Sequence, residues 1–335
     1  MPMPLYVDLD GTLIRGDTMQ QAFLMLLRRH PLAAIRATLL LARKNRPAAK
    51  ELIARHVDLE PRHFPWRQPV LDYVRQAKNE GRRVVLATGT WHRYAEAVAA
   101  LHPELFDAVY GTDSTVNLIG PNKLARMRQD AGDQPFEYLG DSHADVAIFH
   151  QSAVAGWVGS KNLNYVATDT TQLHRLETHP DDSLVDTLKL TRPAWWPLEL
   201  LVWLPPLMTG AHGHTAPIEQ AFLASLSTLL ISAGGYVFDS MLAIDADRAD
   251  AGRRSRELAR GVVTIKRAAI VAAVLVVLGL VATLLGAPTA RRPLVVFLLL
   301  TVFTAFIPRE QRVGRALMFV ALLILRLVIG KTLLR

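Results

Sequence analysis

Residues 268–287 carry no charge, and the run from Ala268 to Ala287 holds 20 aliphatic, small or threonine residues in a row. Roughly 20 apolar residues cross a bilayer as a helix, and the backbone there must satisfy its own hydrogen bonds. A chain with this segment builds part of itself from helices in lipid. Four further stretches read as spans: Trp195–Ala211, Pro217–Ile244, Leu294–Ile307 and Ala316–Gly330. The last contains Arg326, an expensive charge at membrane depth. The spacing predicts an all-α transmembrane bundle of about five helices over residues 191–335.

Charge placement orients the bundle. Arg248, Arg253, Arg254, Arg256, Arg260, Lys266 and Arg267 fall between the second and third spans, and Arg309, Arg312 and Arg315 between the fourth and fifth. Basic loops stay on the cytoplasmic side. The expectation is a multi-pass protein of the cell (inner) membrane with a cytoplasmic N-terminal domain. Arg291 and Arg292 run against this pattern, and the turn around His212 and His214 is expected outside. The chain has 38 Lys+Arg against 30 Asp+Glu, a net charge of +8. Its basic clusters border apolar spans, so the expected partner is the lipid bilayer and not nucleic acid. The absence of cysteine excludes disulfides and thiolate metal sites. Met1-Pro2-Met3-Pro4 lacks a basic n-region, so no cleavable signal peptide is expected.

The first 190 residues follow another pattern. Leu5-Tyr6-Val7 is an apolar run ending in Asp8; Arg82–Thr90 and Phe136–Asp141 repeat it, and Ala153–Gly159 reads as a further strand. Helical stretches, including Pro69–Gly81 and His92–Leu101, fall between them. Strands alternating with helices predict an α/β domain with a parallel sheet, whose ligands bind beyond the C-terminal strand ends. Asp8, Thr88 and Asp141 all lie at such ends. Asp8, Asp10 and Asp141 form a hard-oxygen set suited to Mg2+. An aspartate can also attack phosphorus, a second carboxylate can move the proton, and Thr88 and Lys123 can hold phosphoryl oxygens.

These residues resemble the haloacid dehalogenase (HAD) superfamily of phosphatases. Asp8-Leu9-Asp10-Gly11-Thr12 matches its first motif, Thr88 its second, Lys123 its third and Gly140-Asp141-Ser142-His143-Ala144-Asp145 its fourth. The resemblance implies a Rossmannoid domain over 1–190, with Asp8 as nucleophile and Asp10 as general acid/base. Asp8, Asp10 (through its carbonyl) and Asp141 would bind Mg2+, with Asp145 supporting the metal. A small helical cap is expected over about 15–75. Its Met19–Pro61 stretch is apolar and basic, with Phe23, Leu26, Leu27, Leu39, Leu40 and Leu41 beside Arg28, Arg29, Arg36, Arg43 and Lys44. A packed helical pair accounts for it, and a cap that touches membrane is the alternative.

The C-terminal third is similar to the UbiA-type intramembrane prenyltransferases, in particular the branch that transfers phosphoribose to polyprenyl phosphate. "RPAWWPLELLVWLPPL" resembles the entry to their first helix, "ADRADAGRRSRELARG" the loop after their first acidic motif, and "LRLVIG" a later helix. Departures accompany the likeness. Asp239, Ser240, Ala243 and Asp247 stand at the positions of the acidic motif, Leu198 replaces an expected lysine, and a second acidic motif has no counterpart. Asp239, Asp245, Asp247, Arg254, Arg256 and Arg326 are the residues expected at any lipid-phosphate or second metal site. The resulting expectation is a membrane-tethered, Mg2+-dependent phosphatase acting on a phosphomonoester, a phosphorylated small molecule or a polyprenyl-linked sugar phosphate. The alternatives are a prenyl- or phosphoribosyltransferase, completed by a homo-oligomer or membrane partner, and a non-catalytic scaffold.

Overall fold

The computed structural model describes residues 2–159, 172–177, 183–208 and 218–334. The chain divides into two compact units. The first is Met1–Asp181 with Ala251–Ser255 and Ala259–Val262, and the second is Asp182–Asp250, Arg256–Leu258 and Val263–Arg335.

The first unit is built on six parallel strands: β1 (Leu5–Val7), β2 (Val84–Trp91), β3 (Ala108–Thr112), β4 (Glu137–Gly140), β5 (Val154–Val158) and β6 (Gln172–Glu177), in the order β3-β2-β1-β4-β5-β6. Successive side chains on a strand point to opposite faces. Leu5 and Val7 therefore join Val84 and Leu86 in one core, while Tyr6 joins Val85 and Tyr138 in the other. Burial on both faces explains why these strands read as unbroken apolar runs. Truncating a fully buried side chain such as Leu86 costs about 2–5 kcal/mol.

The helices of this unit are α1 (Thr18–Arg29), α2 (Pro31–Ala42), α3 (Arg46–His56), α4 (Gln68–Asn79), α5 (His92–Leu101), α6 (Pro121–Ala131) and α7 (Val146–Phe149). Asp17 starts α1 by accepting a hydrogen bond from Gln20 N at 2.8 Å, and Asn45 starts α3 by accepting one from Ala48 N. The insertion after β1 is thus three helices rather than a pair. The sheet changes direction of winding at β1, which has β2 on one side and β4 on the other. Ligands of open α/β sheets bind at that switch point.

The second unit contains α8 (Leu184–Leu190), a 3-10 helix at Pro193–Val202, α9 (Leu204–Met208), α10 (Ile218–Leu242), α11 (Ile244–Ala249), α12 (Ile265–Leu285), α13 (Pro288–Phe306) and α14 (Arg312–Thr332). Four of these, α10, α12, α13 and α14, are long and apolar enough to cross a membrane. The expected span at Trp195–Ala211 forms no long α-helix among the described residues. Pro197, Pro205 and Pro206 remove backbone donors, and the stretch folds as the 3-10 helix followed by short α9. Its last residues and the His212–His214 turn lie outside the described residues. The 3-10 helix is nonetheless packed into the bundle. Val202 is buried with Ala221, Ile231, Phe297 and Ile329. Its carbonyl approaches Gly330 of α14 so closely that a Cβ at that glycine would meet it. One polar contact joins α10 to α12: Ser227 Oγ donates to Gly279 O at 2.9 Å and lies 2.6 Å from Thr283 Oγ1.

Candidate active site

Four aspartates converge at the switch point. Asp8 follows β1, where its N–H donates to Leu139 O of β4 at 3.0 Å. Asp141 follows β4 directly, and Asp145 lies in the 3-10 turn His143–Asp145 beyond it. One carboxylate oxygen from each of Asp8, Asp141 and Asp145 lies within 4.8 Å of the others. Gly11 makes this convergence possible. Its φ of +75° belongs to the left-handed region, and a Cβ there would collide with the Asp141 carboxylate.

Lys123, brought in by α6, neutralises the cluster. Its ammonium is 3.2 Å from Asp8 and 3.1 Å from Asp145, and donates to Tyr138 Oη at 2.8 Å. Tyr138 Oη and Ser142 Oγ in turn donate to Asp145, at 2.8 and 2.7 Å. Burial alone would lower the Lys123 pKa, but Asp145 and Asp8 outweigh it and raise it. Asp8 Oδ1 is the buried atom that faces this ammonium.

Asp10 points to the other side. Its Oδ1 accepts from Thr18 N at 2.8 Å, and its Oδ2 accepts from Thr18 Oγ1 at 3.0 Å and Thr90 Oγ1 at 2.5 Å. Burial raises Asp8 to about 6 and Asp10 to about 8; Lys123 opposes the rise at Asp8, and nearby Asp17 adds to it at Asp10. Asp10 is thus the more readily protonated of the two. Thr88 is buried on β2, and its Oγ1 accepts from Thr90 N at 3.1 Å.

Sequence reasoning missed several neighbours. Thr90 stands two residues beyond Thr88 on the same strand, so the period of two could have found it. Thr18 opens α1 directly after its Asp17 cap, and that local motif was also legible. Lys50 left no signal: from α3 its ammonium reaches Gly89 O at 2.5 Å and Asn117 Oδ1 at 2.8 Å. Burial lowers its pKa to about 8, against the pull of Asp10 and Asp17. Arg67, also unforeseen, donates from Nε to Gly11 O at 3.1 Å.

Residues 5–150 match the family model described as haloacid dehalogenase-like hydrolase. The N-terminal domain is a HAD hydrolase domain. The uncharacterized protein y4nM of Sinorhizobium fredii (strain NBRC 101917 / NGR234) is 27% identical over 336 residues, which cover 99% of this chain and 64% of that protein. The chain thus spans under two thirds of the length of this relative. Among solved structures, a HAD-superfamily hydrolase from Ehrlichia chaffeensis is 16% identical, covering 48% of this chain and 90% of its own, with a TM-score of 0.32. A substrate-bound phosphoserine phosphatase is 12% identical, covering 51% and 93%, with a TM-score of 0.36. CbbY from Rhodobacter sphaeroides is 17% identical, covering 52% and 94%, with a TM-score of 0.37.

The residues expected at a lipid-phosphate site fall largely into two groups within the second unit. Asp239, at the end of α10, pairs with Arg192 at 3.1 Å, Arg309 at 3.2 Å and Arg315 at 2.6 Å. Asp247 of α11 pairs with Arg256 at 3.1 Å and Arg309 at 3.3 Å. A cavity of about 310 Å³ adjoins them, lined by Lys189, Arg192, Trp195, Ser240, Asp247 and Arg256 among others. Burial lowers the Arg248 pKa to about 10, partly offset by Asp245, and Arg254 is exposed on the segment before α12. Arg326 is held apart from the aspartate group by its own partners. It makes a bidentate pair with Glu199 at 2.7 and 3.0 Å, donates to Ser232 at 2.8 Å, and stacks over Phe297.

Proposed function

We propose that the protein is a membrane-tethered phosphomonoesterase that uses Mg2+ and a covalent Asp8 intermediate. The carrying observation is the three-carboxylate cluster of Asp8, Asp141 and Asp145, with the Asp10 carboxyl two residues beyond Asp8 held in place by Thr18 and Thr90. Asp8, Asp141 and Asp145 offer only hard oxygen donors, one from each within 4.8 Å of the others, so the residues fit Mg2+. When bound, Mg2+ supplies charge neutralisation for phosphoryl oxygens.

The chain's residues do the rest. The Asp8 carboxylate attacks phosphorus and forms an aspartyl-phosphate as the P–O bond to the leaving group breaks. Asp10 gives its proton to the departing oxygen and then takes one from the water that hydrolyses the intermediate. Thr88 and Lys123 hold the phosphoryl oxygens, while Asp145 and Tyr138 orient the Lys123 ammonium.

Four apolar helices support a membrane tether. The Pro193–Val202 and Leu204–Met208 elements would supply a fifth crossing. Ten 3-10 residues and five α residues reach roughly 28 Å, close to a hydrocarbon core of about 30 Å. Five crossings would put both basic loops and the HAD domain on the cytoplasmic side. The UbiA likeness makes a polyprenyl-linked sugar phosphate the proposed substrate, presented at the bilayer. Prenyl transfer is the weaker reading, because Asp239 and Asp247 are already occupied by arginines.

The test is phosphate release by the detergent-purified full chain with Mg2+, over soluble sugar phosphates and a polyprenyl-linked phosphoribosyl phosphate, beside Asp8→Asn. Release lost in the variant supports the phosphatase, and preference for the lipid-linked substrate supports its proposed identity. No release above the variant on any substrate would sink the reading.

A further inference from the structure

Helix α2 is packed the wrong way round for a helix in water. Its buried residues are Ala34 and Ala37, while Leu32, Ile35, Leu39 and Leu41 are 77%, 57%, 52% and 45% exposed. At 100° per residue Leu32, Ile35 and Leu39 share one outer stripe, on which Arg36 and Arg43 also fall. Soluble helices bury the leucines and leave small residues outside, so this stripe has its partner elsewhere.

The charges around it identify that partner. Arg28 and Arg29 close α1 immediately before α2, Arg36 sits mid-helix, and Arg43 and Lys44 follow its end. No acidic residue occurs between Thr18 and Lys50. A basic, apolar helix face is complementary to anionic lipid, where the aliphatic side chains enter the acyl boundary and the arginines meet phosphate. At 12 residues α2 is about 18 Å long, too short to cross a bilayer and suited to lying in its surface. The same chain carries four apolar helices that keep it at a membrane.

We propose that α2 is an interfacial anchor. Leu32, Ile35 and Leu39 insert into the headgroup boundary of an anionic bilayer, so the cap of the HAD domain is a lipid-facing element. Of the two accounts of this stretch, the membrane-touching cap is favoured because the large aliphatic residues, not the small ones, are outside.

The chain has no cysteine, so single labels are clean. Ile35→Cys and Leu39→Cys, each carrying an environment-sensitive fluorophore, are compared with Glu80→Cys at the exposed end of α4. The full chain is reconstituted in vesicles of phosphatidylglycerol and phosphatidylcholine containing brominated lipid. The expected result is severalfold stronger lipid quenching at residues 35 and 39 than at 80, with aqueous iodide showing the reverse order. Iodide access at 35 and 39 equal to that at 80 overturns the proposal. Protection without lipid quenching, together with disulfide-linked dimers of unlabelled Ile35→Cys, also overturns it and assigns the face to a second copy.

Discussion

The Lys123 ammonium stands 3.2 Å from the Asp8 carboxylate, and both groups are buried. Removing it as Lys123→Met leaves Asp8 and Asp145 as like charges in a dry site. Breaking a buried pair costs about 3–5 kcal/mol. The expected outcome is a lower melting temperature in chelator, a larger stabilisation by added Mg2+ than in the parent, and phosphate release reduced by about 100-fold or more. Calorimetry with and without Mg2+ checks the first two; unchanged melting in chelator would contradict the charge argument.

The pH dependence turns on Asp10. Its folded pKa of about 8 lies above the unfolded value of roughly 3.9, so between these the folded chain binds the extra proton. The stabilising contribution is complete below the unfolded value and is lost as pH rises through about 8. Asp10→Asn removes this loss. Its melting temperature in chelator should gain on the parent from pH 5 to about pH 8 and level off above that. Activity of the parent should fall above about pH 8 as the proton donor disappears, and below about pH 6 as Asp8 protonates.

Gly11 and Gly81 share a φ of +75°, but only Gly11 has a neighbour where its Cβ would go. Gly81→Ala carries backbone strain alone, about 1–2 kcal/mol, and should keep full activity. Gly11→Ala adds displacement of Asp141, so Mg2+ dependence should shift to much higher concentration. Titration of activity with Mg2+ in the two variants separates strain from site geometry.

In the bundle, Arg326 and Glu199 tie the 3-10 segment at Pro193–Val202 to α14. Arg326→Leu alone leaves a buried carboxylate and should destabilise by about 3–5 kcal/mol. Arg326→Leu with Glu199→Leu should recover most of that loss. Thermal unfolding in detergent reads the cycle, and equal destabilisation by single and double variants would deny the pairing.

Local features were legible along the chain. The Leu5–Thr12 run, the β2 and β4 strands and the uncharged stretch of α12 each carry their signal within about ten to twenty neighbouring residues, where hydrophobic period and length decide the element. The strands that escaped notice, β3 and β6, are the two edge strands, and their apolar runs are interrupted: Tyr110-Gly111 in one, His174-Arg175 in the other. They pair only because the sheet supplies ready edges for them.

By itself the sequence determined a HAD-type α/β domain and a set of bilayer-length helices, because backbone hydrogen bonding and apolar periodicity act between near neighbours. It also marked Asp8, Thr88 and Asp141 through their place at predicted strand ends. Only the tertiary structure decided which distant charges meet. Lys123 reaches Asp8 and Asp145, Lys50 reaches Gly89, and Asp239 gathers Arg192, Arg309 and Arg315. It also decided that α2 turns its leucines outward. Charge pairing and burial depend on which surfaces the topology brings together, and no local pattern records that.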